Sequence, residues 1–262
     1  MPKLRPAETR PLFILGCVRS GTTLMRDLLR RQPATICPEE THYFRYGEPF
    51  RTNAYGRTLT NSKTLARHRE IDGIPAEAFE QMYREAETRG ELLCAHVEHM
   101  ARQRGLEQYR WFDKTPQNVY GIAMIRAEFP QARFLHLVRN PLNVVASLKL
   151  GKVMKVPDLI GACNYWIEAI TVMRQFAPVL GDALLEVRYE DLTDNTLETI
   201  GRILAFSGLG DRLDLYNERA ARPERNRYAE LLTPEEQATV RRLCGPLAAL
   251  YGYELGQGPQ DS

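Results

Sequence analysis

The chain has 262 residues, 26% of them charged, and a formal net charge of +2. That length allows one sizeable core with at most a small subdomain, and so even a charge argues against nucleic-acid binding while leaving room for a local anion site. The five cysteines, Cys17, Cys37, Cys94, Cys163 and Cys244, are scattered and form no Cys-x-x-Cys pair; this argues against a disulfide framework or zinc site and points to a reducing, cytoplasmic setting, and no stretch reaches the roughly 20 apolar residues of a membrane span.

Residues 1–10 are polar, with two prolines, and predict a loose arm. Lys3, Arg5 and Arg10 ahead of an apolar run imitate a signal peptide, but the run is short and meets Arg19 directly. Residues 12–18 read as a buried strand of a parallel sheet, apolar without alternation. A helix opening at Thr22 turns Leu24, Met25, Leu28 and Leu29 inward and Arg26, Asp27, Arg30 and Arg31 outward, and Pro33 ends it. Residues 35–37 form a short strand, broken by Pro38. Residues 45–74 carry Arg45, Arg51, Arg57, Lys63, Arg67 and Arg69 among turn-forming residues. They predict loops and short helices, and an acceptor-binding lid.

Helices follow over 75–88 and 91–103. Trp111-Phe112 leads through a strand into the turn Asp113-Lys114-Thr115-Pro116, and a helix over 117–128 turns Val119, Ile122, Ala123 and Ile125 inward. Residues 133–139 are a strand broken at Asn140-Pro141, and a helix spans 142–150. A long helix runs from Asp158 to about Phe176, a strand covers 183–189 and a helix 196–206. Residues 211–228 are polar and Arg-rich. Thr233-Pro-Glu-Glu236 is a capping-box start for a last helix to about Tyr251, and the tail from Gly256 is expected to be disordered. Strands alternating with helices predict a single domain over 1–262, a three-layer α/β fold, P-loop NTPase-like, around a central parallel sheet.

Two constellations suit anions. Gly16 and Gly21 have P-loop spacing, but Thr22 and Thr23 stand where a nucleotide triphosphatase needs Lys then Ser or Thr, and Arg19 lies inside the loop. Backbone N–H groups and hydroxyls there suit a phosphate; the other reading is a plain strand-to-helix turn with a Thr cap. Arg139 at a strand end and Ser147 in the next helix suit a second phosphate, because a guanidinium fork matches phosphate oxygens. The other reading is an Arg paired with a local carboxylate and a packed Ser.

The run Arg19 to Arg26 resembles the 5′-phosphosulfate loop of sulfotransferases that use 3′-phosphoadenosine 5′-phosphosulfate (PAPS). Phe134 to Asn140 with Ser147 resembles their 3′-phosphate site, and Leu185 to Leu192 the strand and turn that follow it. The resemblance covers about residues 11–206 and, more loosely, the last helix. Arg in the loop followed by Glu39-Glu40-Thr41 is similar to the tyrosylprotein branch and related bacterial enzymes. It implies sulfuryl transfer from PAPS to an acceptor hydroxyl: a peptide tyrosine, a glycan or a small alcohol. It further implies Glu40 as general base, Arg19 as leaving-group cation and Lys114 as the cation at the transferring group. Ser20, Gly21, Thr22, Thr23 and Leu24 would hold the 5′-phosphate, Arg139 and Ser147 the 3′-phosphate, and Tyr189 would lie near the adenine. No metal is demanded, and a homodimer is compatible with the family.

His42 stays open as an alternative base, since the cytosolic branch uses a histidine. Without the resemblance, Glu39 and Glu40 read as a solvated charge pair and His42 as a packed loop residue. His96 and His99 share a helix face and read as a surface pair. The arginines from Arg219 to Arg227 could close over the 3′-phosphate, although the Lys-Gly and Ser-x-x-Gly patterns that would mark such a loop are absent. Two rival functions are a P-loop kinase for a small hydroxylated substrate, against which Thr22 in place of Lys argues, and a non-catalytic nucleotide-binding protein.

Overall fold

Five parallel strands form the centre of the protein: β1 (Leu12–Gly16), β2 (Thr35–Ile36), β3 (Arg110–Lys114), β4 (Arg133–Val138) and β5 (Leu184–Arg188), in the order β2-β3-β1-β4-β5. The structure is a computed structural model and describes residues 4–151, 154–221 and 226–256. Ile14 lies opposite Lys114 on one side and Leu135 on the other, and Val138 lies opposite Arg188. From β1 the chain runs outward to β2, returns to β3, then crosses to β4 and β5. The carboxyl end of β1 therefore faces the crevice where the winding reverses, the place where open α/β sheets bind ligands.

Both faces of β1 are buried, which accounts for its unalternating apolar run. Leu12 and Ile14 pack with Met25, Leu28 and Leu29 of α1 (Thr22–Leu29), while Phe13 and Leu15 face the opposite layer. Each such side chain removed from water contributes roughly 1.5–3 kcal/mol. The opposite layer comprises α2 (Asn53–Asn61), α3 (Lys63–Ile71), α4 (Ala76–Glu85), α5 (Arg89–Gln103), α6 (Ile122–Glu128), α7 (Pro141–Lys149) and α8 (Leu159–Leu180). Then come α9 (Tyr189–Asp194) and α10 (Thr196–Ser207), which lie on the α1 side, and α11 (Tyr228–Leu231) and α12 (Pro234–Ala249). Among the described residues no helix is long and apolar enough to cross a membrane.

The predicted starts are visible in the caps. Asn140 accepts from the Leu142 N–H at α7, Asp158 from Gly161 at α8, and Thr233 and Glu236 complete the capping box of α12. Other expectations need correction. The helix expected over 117–128 starts as a 3-10 helix, Pro116–Gly121, and becomes α-helical only at Ile122, which leaves Ala123 exposed rather than inward. Gly121 explains the tight winding: a Cβ there would sit 2.0 Å from the Phe44 carbonyl oxygen, so the turn is pressed against the preceding loop. The region expected as loops and short helices holds, as expected, a loop and two nine-residue helices, capped by Thr52 and Ser62. The short helices α9 and α11 carry no periodic signal long enough to read. Of the N-terminal arm, Pro6–Glu8 forms a 3-10 turn and the Leu4 N–H donates to Glu98. The tail from residue 257 lies outside the described residues.

Candidate active site

The loop between β1 and α1 is built by unusual backbone. Arg19 has φ +72° and Gly21 φ +91°. A Cβ on Gly21 would lie 2.2 Å from Tyr189 Cδ2, so only glycine lets the tyrosine ring close on the loop. Gly21 gives α1 no side-chain cap, which leaves the first-turn N–H groups of Thr22, Thr23 and Leu24 to an external acceptor. Ser20 is fully buried and its hydroxyl has no partner among the described residues. A buried hydroxyl without a partner beside an uncapped helix start is suited to a phosphate oxygen.

The neighbouring strand end supplies the second cation. Arg139 follows β4, donates through Nη1 to the Arg19 carbonyl at 2.9 Å, and lies over the Tyr189 ring at 4.5 Å. Its own carbonyl accepts from the buried Trp166 indole at 3.0 Å. Arg19 Nε in turn donates to Ser147 Oγ at 2.8 Å. The structure thus brings Arg19, Arg139, Ser147 and Tyr189 together. Arg19, Arg139 and Ser147 border a cleft of about 640 Å³ whose lining also includes Asn143, Arg227 and Tyr228. Arg227 belongs to the arginine-rich segment; Arg219 is exposed, and Arg222 and Arg225 lie outside the described residues.

On the other side of the loop, Lys114 ends β3, is almost fully buried, and pairs with the Glu40 carboxylate. Lys114 Nζ lies 3.5 Å from Thr23 Oγ1, so the Glu40–Lys114 pair reaches the loop. Burial pushes the Glu40 carboxyl up, but the His42 hydrogen bond and the Lys114 ammonium outweigh it and hold it at about 2. His42 Nε2 is 3.5 Å from the second Glu40 oxygen, and burial lowers the imidazole below its ordinary range. His42 has φ +56° and its Nδ1 has no partner. Glu39 is different: Arg26 Nη1 at 2.5 Å and Arg30 at 3.1 Å hold it against α1. The pair read as solvated carboxylates is therefore split. Glu39 is an ion-pair anchor, and Glu40 faces the loop.

Supporting residues were not legible beforehand. Asp113 is fully buried, accepts from Thr41 Oγ1 at 2.9 Å, Thr115 Oγ1 at 3.3 Å and Asn118 at 2.9 Å, and burial raises its carboxyl to about 6. It ties the Lys114 turn to the Glu40 segment. From α3, His68 Nδ1 donates to the Glu40 carbonyl at 2.9 Å. His96 is not the surface residue expected: it is buried against Asp72, because α3 folds over α5. An acidic residue adjacent to Lys114 is the one signal the sequence carries for this network.

Residues 11–212 match the sequence model of the sulfotransferase family. The protein-tyrosine sulfotransferase of Drosophila melanogaster is 28% identical over 200 residues, covering 74% of this chain and 37% of the fly protein. Nodulation protein NoeE of Sinorhizobium fredii is 26% identical over 284 residues, covering 92% of this chain and 65% of that one. The chain thus spans less than two thirds of the length of either relative. The sulfotransferase domain of the Synechococcus PCC 7002 olefin synthase superposes with a TM-score of 0.70 at 22% identity, covering 97% of this chain and 98% of that domain, a likeness of fold.

Proposed function

The chain belongs to the sulfotransferase family, and we propose that it moves the sulfuryl group of PAPS to an acceptor hydroxyl. Donor charge fits the residues present: the partnerless Ser20 hydroxyl and the uncapped start of α1 suit the 5′-phosphate, and the cleft at Arg139 and Ser147 suits the 3′-phosphate. Tyr189, closed on Gly21, offers a ring face beside the adenine.

In this reading Glu40 takes the acceptor proton as the acceptor oxygen attacks sulfur in line. The new oxygen–sulfur bond forms as the bond from sulfur to the 5′-phosphate oxygen breaks, and its electron pair leaves on that oxygen. Arg19 stabilises the leaving oxygen, and Lys114 the charge on the transferring group. The products are a sulfate ester and adenosine 3′,5′-bisphosphate. The observation that carries the reading is the Glu40–Lys114–Thr23 contact, which sets a carboxylate base and a buried cation against a phosphate-type loop. His42, lowered by burial and bonded to Glu40, is better suited to orienting the carboxylate than to replacing it.

We assign acceptor binding to residues 45–74, whose α3 contacts the Glu40 segment, and the acceptor is a peptide tyrosine, a glycan or a small alcohol. The five free, buried cysteines support a reducing, cytoplasmic setting. Thermal melting with adenosine 3′,5′-bisphosphate and with ATP plus magnesium tests the donor. A shift with the bisphosphate is expected. A shift with ATP alone would favour a kinase, and bisphosphate binding without sulfate transfer to a tyrosine peptide, a glycan or a phenol would favour a non-catalytic binder.

A further inference from the structure

Asp72 caps the end of α3 and buries its carboxylate beneath the Glu39-Glu40 segment. Both of its oxygens lie 3.0 Å from the Glu39 N–H. Its Oδ2 is also 3.0 Å from His96 Nε2, and His96 Nδ1 is 2.8 Å from the Tyr43 hydroxyl. All three side chains are buried. Burial raises the Tyr43 phenol well above its ordinary value, so it keeps its proton and donates it to His96 Nδ1. That bond leaves the His96 proton on Nε2, where it donates to Asp72. The side-chain bonds therefore run from phenol to imidazole to carboxylate, and the carboxylate accepts from the Glu39 backbone N–H on its other side. Four residues before Asp72, on the same face of α3, His68 donates to the Glu40 carbonyl at 2.9 Å. The backbone of Glu39 and Glu40 is held at both ends from one helix. Tyr43 is itself anchored, since its carbonyl accepts from Tyr55 at 2.8 Å and Arg89 at 2.9 Å.

None of these groups faces the cleft. They fix a backbone, and the backbone fixes where the Glu40 carboxylate meets Lys114 and His42. We infer that Asp72, oriented by His96 and Tyr43, is a positioning residue for Glu40, and that α3 couples the acceptor-side segment to the base. The inference rests on Glu40 being the base in the reaction proposed above.

The test is steady-state kinetics of the full chain with PAPS and an accepted hydroxyl substrate, for His96→Leu, His96→Gln, Tyr43→Phe and Glu40→Gln, beside calorimetric binding of adenosine 3′,5′-bisphosphate. His96→Leu is expected to lower kcat about 10- to 100-fold, the scale of a displaced catalytic group. The donor KM and bisphosphate affinity should change less than about twofold, because the donor cleft is untouched. The Gln side chain can present an amide N–H near the place of Nε2–H, so His96→Gln should recover kcat to within about fivefold of wild type. Tyr43→Phe removes a single oxygen and reports on the chain even if His96→Leu does not fold; a loss of about fivefold in kcat is expected. Wild-type kcat in folded His96→Leu or Tyr43→Phe, with Glu40→Gln inactive, overturns the positioning role alone. A wild-type protein that transfers no sulfate, or undiminished turnover in Glu40→Gln, overturns the assignment of the base and this inference with it.

Discussion

Arg19 Nε and Ser147 Oγ lie 2.8 Å apart across 128 residues of sequence, so the loop after β1 is fastened to α7 before any anion arrives. Arg139 reinforces the join by donating to the Arg19 carbonyl. Two guanidinium groups thereby share one mouth of the cleft, and a polyanion entering it meets donors already fixed in place.

Replacing Arg19 tests which part of the donor it serves. Arg19→Ala should lower kcat about 10²–10³-fold, the usual cost of removing one donor to a developing oxyanion. Affinity for adenosine 3′,5′-bisphosphate should fall much less, since Arg139 and Ser147 remain. Steady-state rates and calorimetry separate the two; a loss confined to affinity would make Arg19 a binding residue only.

Glu40→Gln keeps the shape of the side chain and removes the proton acceptor. Turnover should fall about 10²–10⁴-fold with bisphosphate affinity unchanged within about threefold. Undiminished turnover in this variant would move the base to His42.

The same carboxylate sets a pH dependence of stability. Its folded value of about 2 lies below the ordinary ~4.3 of an unfolded glutamate, so its contribution, up to about 2–3 kcal/mol, is complete above about pH 4.3 and is lost as pH falls toward 2. Urea unfolding of wild type and Glu40→Gln between pH 7 and 3 should show the wild-type advantage shrinking as the medium is acidified below about pH 4.5. Asp113 acts with the opposite sign: its carboxyl, raised by burial to about 6, gains stability as pH falls through 6, and the Glu40 charge adds to that rise, so the difference is read below about pH 4.5, away from the Asp113 titration.

Gly21 combines φ +91° with the closest approach of Tyr189. Gly21→Ala should displace the ring, weaken bisphosphate binding by more than about tenfold and cost about 1–3 kcal/mol of stability. Denaturant titration and calorimetry on one sample check both.

The elements around the donor cleft were readable because each is local. An apolar run, a glycine-spaced loop and a helix start lie within Leu12 to Leu29, and Asn140-Pro141 and Thr233 to Glu236 mark helix starts by their own chemistry. What escaped depends on partners far away in the chain. Glu39 is held by Arg26 and Arg30 while Glu40 meets Lys114 and His42, and His96 is buried between Asp72 and Tyr43. The 3-10 winding of Pro116–Gly121 is forced by the Phe44 backbone, which no local pattern announces. Arg227, named among the arginines able to close over the 3′-phosphate, lines the cleft, although its stretch has no periodicity to place it.

Arg227 offers the complementary measurement at the far wall of that cleft. Arg227→Ala should weaken bisphosphate binding about three- to tenfold and leave kcat at saturating donor nearly unchanged, because a rim cation adds modestly to affinity. A large drop in kcat with intact binding would place it in the chemistry instead.

β2 and β3 are adjacent and pair in register, Thr35 with Arg110 and Ile36 with Trp111, so everything between them leaves the sheet and returns to the next strand. Loops within the excursion can lengthen or shorten without changing the order of the strands, while Phe44 and α5 stay packed in one core with Phe13 of β1. On the function proposed above, acceptor preference is an interchangeable head on a fixed donor-handling body. The base travels with that head: Glu40 lies in the same excursion as His68 and Asp72, and it meets the fixed body through Lys114 at the end of β3.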